Sequence, residues 1–86
     1  MSKTLVIMVA ELIKEIRHQR QLSQEKLADL ADLDRTYISG IERGVRNITL
    51  ESLESIISAL SISNSEFFLA LSLKLSKEGF KNDQAS

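Results

Sequence analysis

Three observations on this 86-residue chain predict an all-α fold. It contains no proline and only three glycines, too little punctuation for an architecture of strands and tight turns. Its apolar residues recur at helical rather than alternating spacing. Ser, Thr and Asp stand where successive helices need N-caps. The length suits one small domain, which at this size buries only about 60–65% of its unfolded surface. The chain has no cysteine and one histidine. Disulfides, thiolate metal sites and an imidazole cluster within one subunit are therefore excluded, leaving self-association as the available aid to stability.

The elements follow in order. Val9, Leu12, Ile13 and Ile16 recur at i, i+3, i+4 and i+7 and predict a first helix over about 6–20. In "LSQEKLADLA", Ser23 is the expected N-cap of a second helix, Glu25 suits its positive end, and Leu27, Leu30 and Ala31 face inward. Asp32 can take turn geometry, and Asp34 can cap a third helix over about 35–43 that ends at Gly44. Thr49 caps a fourth, with Leu50, Leu53, Ile56, Ile57 and Leu60 inward. Ser63 and Glu66 form a capping box that opens a fifth. There the alternation of Leu71, Leu73 and Leu75 keeps a strand in play. Residues 1–78 are read as one domain and 79–86 as a flexible tail.

The apolar run Leu5–Ala10 is too short for a signal peptide, which needs about 7–15 residues, or for a membrane span of about 20. A cytoplasmic protein with no membrane partner is the expectation. The formal net charge is −1, yet its distribution is uneven. Lys14, Arg17 and Arg20 form one basic stretch, and Arg35, Arg43 and Arg46 another. Acids collect at Asp29, Asp32 and Asp34 and beyond residue 50. A neutral chain can thus present one basic face.

The second and third helices, each of about eight residues and joined by a short turn, fit a helix-turn-helix or an ordinary helical hairpin. The side chains of the third favour the helix-turn-helix. Ile38 and Ile41 mark its buried direction. The opposite face then holds Thr36, Ser39, Gly40 and Arg43, with Arg35 at its edge and no acid, since Glu42 falls on the flank. Such a face suits the DNA major groove, where Arg bonds bidentately to guanine and Thr or Ser reaches base edges. Gly40 costs roughly 1 kcal/mol relative to alanine inside a helix. On this reading it gives clearance for close approach to DNA.

On these residues the chain resembles a known family. "LSQEKLADLADLDRTYISGIERGVRNITLESLESIISAL" is similar to the Cro/lambda-repressor type of helix-turn-helix protein, and "DRTYISGIERGVRN" to the controller proteins of bacterial restriction–modification systems. The resemblance implies a five-helix lambda-repressor-like DNA-binding domain that dimerises through its C-terminal helix. Its partner is a near-palindromic double-stranded operator, with two dimers able to fill adjacent sites, and it activates or represses its own promoter. Carried onto this chain, Arg35 and Thr36 are base readers. Gln24, Tyr37, Ser39, Arg43, Arg46 and Asn47 touch the DNA backbone or groove edge, and Arg17 and Glu42 form a structural ion pair. Phe67, Phe68 and Leu71 form the dimer interface, the alternative being a wide core face. Asp32 stands where the family often has glycine, and Asn47-Ile48-Thr49 where many relatives carry proline.

The remaining features have plainer readings. His18 lacks an acid–base partner with a nucleophile and reads as an exposed helix residue. No serine sits in a nucleophile elbow. "DLADLDRTY" lacks the central glycine and final glutamate of a calcium loop. No enzyme activity, cofactor or metal is expected. The acidic group Glu25, Asp29 and Asp32 is a solvated face or a contact for RNA polymerase. The competing function is an antitoxin or phage-type repressor of the same fold that acts partly through protein–protein binding.

Overall fold

A computed structural model describes the backbone of residues 4–85 and the side chains of residues 4–77. Five helices follow in chain order: α1 (Thr4–Gln19), α2 (Gln24–Ala31), α3 (Arg35–Glu42), α4 (Leu50–Ala59) and α5 (Asn64–Ala85). No strand occurs among the described residues. The tail expected at 79–86 lies outside the described side chains. In α5, Leu71 is buried, Leu75 half-buried and Leu73 exposed, the order that a helix rather than a strand gives these three.

The core is built from one stripe of each helix. Ile13, Leu27, Ile38, Ile56, Ile57, Leu60 and Phe67 are fully buried within it. α2 packs against α3 and α4, while α1 packs against α3 and α5. Two expected core residues lie outside. Leu30 is 52% exposed, because Leu27, Ala28 and Ala31 set a buried direction about a quarter turn away from it. Leu50 is 81% exposed at the first position of α4, and Ile48 from the preceding loop packs against the core instead.

Caps and turns fix the helix ends. The Ser23 hydroxyl accepts from the Lys26 N–H at 2.9 Å, and Thr49 Oγ1 from the Ser52 N–H at 3.0 Å. Ser63 and Glu66 exchange both bonds of a capping box, at 2.9 and 3.0 Å. Asp34 occupies the N-cap of α3 with extended backbone but makes no side-chain cap bond, so its expected capping role is not realised. Each connection contains one left-handed residue: Gln21, Asp32, Gly44 and Ser61, with φ of 58°, 58°, 73° and 63°. After three helices the chain closes with a six-to-one bond. Leu22 donates to the Arg17 carbonyl at 3.0 Å, Leu33 to Ala28 at 2.9 Å and Val45 to Gly40 at 3.0 Å.

Lys74 ties α5 to α1 at the surface, 2.8 Å from Glu15 and 3.5 Å from Glu11. Its hydrogen bond to Glu15 raises the ammonium pKa above the ordinary lysine value. No single helix is long and apolar enough to cross a membrane among the described residues.

Candidate nucleic-acid interface

α3 is anchored by Ile38 and Ile41, both buried, which turns Arg35, Thr36 and the helix-ending Arg43 to solvent. Ser39 and Tyr37 are half-buried on its sides, and Arg46 and Asn47 stand exposed in the following loop. Among the described residues Arg35 and Thr36 make no side-chain hydrogen bond or ion pair with the rest of the chain, so their donors are available to a ligand. Arg43 folds back on its own helix, its Nε donating to the Ser39 carbonyl at 3.3 Å.

The one acid of the helix is withdrawn from this face. Glu42 meets Arg17 in a two-bond pair, Nε to Oε2 at 2.7 Å and Nη2 to Oε1 at 2.9 Å. Their side chains are only 3% and 8% exposed. A pair so far removed from water is tolerable only where its remaining polar atoms are satisfied. Here Arg17 Nη1 donates to the Leu22 carbonyl at 2.8 Å, and Nη2 lies 3.2 Å from His18 Nε2. Gln24 adds a third helix to the cluster, donating Nε2–H to Glu42 Oε1 at 3.1 Å. No buried side-chain nitrogen or oxygen among the described residues lacks a partner. The clamp therefore sets α3 relative to α1 and α2 while cancelling the negative charge beside the basic face. His18 and Leu22 as partners of Arg17 were not legible from sequence. The Leu22 carbonyl follows directly on the left-handed turn at Gln21.

Gly40 corrects the sequence reading. Expected on the outward face as clearance for DNA, it is buried, and what covers it is Arg46. A Cβ placed on Gly40 would lie 2.5 Å from Arg46 Cγ. The guanidinium carbon of that arginine is 5.6 Å from the centroid of the Tyr37 ring, a cation–π arrangement. Arg46, Tyr37, Thr36 and Asp34 line one shallow recess of about 310 Å³ beside the recognition face.

The C-terminal aromatic residues separate into two roles. Phe67 is fully buried and Leu71 5% exposed, both packed into the chain's own core, so neither is open to a second subunit as expected. Phe68 is 45% exposed and meets Phe67 edge-to-face at 5.6 Å. Together with the exposed Leu50 it lines a groove between α4 and α5. No cluster of three or more metal-ligating side chains forms among the described residues.

The chain is similar to known proteins in sequence and in fold. A helix-turn-helix family model matches residues 13–67. Control protein C.BamHI of Bacillus amyloliquefaciens is 43% identical over 63 residues, covering 72% of this chain and 78% of that protein. The crystal structure of the wild-type restriction–modification controller protein C.Esp1396I is 44% identical and superposes with a TM-score of 0.84, over 86% of this chain and 97% of that one. A tetramer of C.Esp1396I in complex with its natural 35 base-pair operator is also similar, at 47% identity and a TM-score of 0.79, over 81% and 92% of the two chains.

Proposed function

The chain belongs to the helix-turn-helix family, among the controller proteins of restriction–modification systems, and from that membership we propose how its surface reads DNA. It is a sequence-specific DNA-binding transcriptional regulator and not an enzyme. α3 enters the major groove with Arg35 bonding bidentately to a guanine and Thr36 meeting the adjacent base edge. Gln24, Tyr37, Ser39, Arg43, Arg46 and Asn47 hold the phosphates and groove rim that set its register. The observation that carries this reading is the free, exposed Arg35–Thr36 pair on a helix whose only acid is buried against Arg17.

C.Esp1396I assembles as a tetramer on its operator. By the same logic this chain binds as a homodimer, two dimers filling adjacent sites, with half-sites about 34 Å apart in each. Phe68 and Leu50 are the exposed apolar groups that support a contact along the α4–α5 edge. Residues 1–78 form the binding unit, acting in the cytoplasm on the promoter of its own operon. Glu25, Asp29 and Asp32, all exposed on or beside α2, offer RNA polymerase an acidic contact when the dimer lies next to that promoter.

Footprinting on the DNA upstream of the chain's own start codon tests the reading. A near-palindromic site should be protected, and affinity should fall steeply between about 50 and 200 mM salt as phosphate contacts release counterions. In transcription on the same template, Asp29→Lys with Asp32→Lys should lower activation while leaving protection intact. Binding that stayed flat with salt would reassign the fold to a protein partner, as in an antitoxin.

A further inference from the structure

Arg46 lies in the loop between α3 and α4, four residues beyond the last residue of α3, yet its side chain doubles back along that helix. Two residues of α3, three positions apart and so on one side of it, receive the arginine. Gly40 lies beneath the methylene stem, and the Tyr37 ring faces the guanidinium at 5.6 Å. A Cβ on Gly40 would stand 2.5 Å from Arg46 Cγ, 3.5 Å from Cβ and 3.6 Å from Cδ. The first distance is far inside van der Waals contact, whereas the other two are ordinary. α3 cannot back away, because Ile38 and Ile41 are buried and Glu42 is clamped to Arg17. The arginine is the part that can yield, by rotating about its own side-chain bonds, and rotation carries the guanidinium off Tyr37.

We propose that Gly40 is a positioning residue, whose missing side chain forms the seat that holds Arg46 against Tyr37 and delivers its guanidinium to DNA in one orientation. A long loop arginine otherwise loses its rotamer freedom at the moment of binding, and confinement in the free protein removes much of that loss. The glycine that weakens α3 as a helix is retained because alanine would close the seat. The recess shared with Thr36 sets the seated guanidinium beside the recognition face, so the arginine and the base-reading pair approach DNA as one surface. This inference rests on the DNA-binding reading above.

A double-mutant cycle with Gly40→Ala and Arg46→Ala tests it, using as probe the duplex that the unaltered chain selects from random DNA. Gly40→Ala should keep or raise the melting temperature and weaken binding about tenfold, within the range of one specific arginine contact. In the Arg46→Ala background the same change should have no further effect. A Gly40→Ala loss that persists without Arg46 would mean that the added methyl itself strikes the DNA, and would overturn the proposal, as would no loss at all. Proton NMR on the free protein gives a readout independent of DNA. The Arg46 methylene protons should be shifted upfield by the Tyr37 ring, and both Gly40→Ala and Tyr37→Leu should abolish the shift. Retention of the shift in Gly40→Ala overturns the seat. If the unaltered chain selects no duplex, the DNA-binding reading fails first, and the positioning role falls with it.

Discussion

At its N-terminal end α3 presents Arg35 and Thr36 to solvent without an intrachain partner among the described residues, whereas its C-terminal end is engaged at every charged group. There Glu42 is held by Arg17 and Gln24, Arg43 bonds the Ser39 carbonyl, and Arg46 rests on Gly40 and Tyr37. The electrostatics differ in the same sense. Arg35 sits at the positive end of the helix dipole with no acid in the first turn, which disfavours the free fold by a few tenths of a kcal/mol. At the other end the buried carboxylate is fully paired. The two residues proposed to read bases are left unsatisfied, whereas the groups that fix the geometry, and Gln24, Arg43 and Arg46 among the proposed rim contacts, are engaged within the chain. One eight-residue helix carries both conditions because its ends contact different surroundings.

The contrast can be broken or sharpened by substitutions, taken from the largest expected effect to the smallest. Glu42→Ala leaves the Arg17 guanidinium buried without its counter-charge and should destabilise the fold by about 3–5 kcal/mol in urea denaturation. Pairing it with Arg17→Met should restore much of that loss, because two apolar groups need no partner. A loss below about 1 kcal/mol from Glu42→Ala alone would show that the C-terminal end is not clamped as described. Arg35→Ala should do the opposite. Its melting temperature should stay level or rise slightly, while operator binding weakens by about 1–3 kcal/mol and preference relaxes at one base pair. Equal losses on specific and random duplexes would remove Arg35 from the base readers. Asp34→Ala should be the mildest, below about 0.5 kcal/mol in stability, against about 1 kcal/mol for Ser23→Ala, whose hydroxyl makes the cap bond that Asp34 lacks.

Much of the fold was legible because it depends on local pattern. The stripe Val9–Leu12–Ile13–Ile16, the cap at Ser23 and the Ser63–Glu66 box are statements about neighbours three or four residues apart, and periodicity reads those directly. The errors have a common physical origin. Leu30 and Leu50 look apolar enough for the core, but Ala28 and Ile48 occupy it, which depends on how neighbouring helices approach. Phe67 and Phe68 are adjacent and chemically alike, and only the rotation of α5 against the core separates buried from exposed. Gly40 is not legible as buried, because a helical wheel gives the direction of a residue but not what returns from a loop to cover it. Arg17 and Glu42, 25 residues apart, are visible in sequence only through family resemblance.

The four left-handed turn residues carry one more consequence. Gln21, Asp32 and Ser61 hold a backbone conformation that the chain on its own disfavours, and only Gly44 holds it without strain. Their cost is met partly by the closing bonds of the turns themselves and partly by the docking of the helices they join. Residue preference opposes these three joints, and the closing bonds and the packed core together offset it. It follows that α2 and α3 are not a portable unit. Cut free of α1, α4 and α5, the segment would lose both the Arg17 clamp and the packing around the turn, keeping only the closing bond from Leu33 to Ala28 to hold Asp32 in its left-handed state. Recognition of DNA is in that sense a property of the cooperative domain, even though the contacts proposed for it come from a segment of two dozen residues.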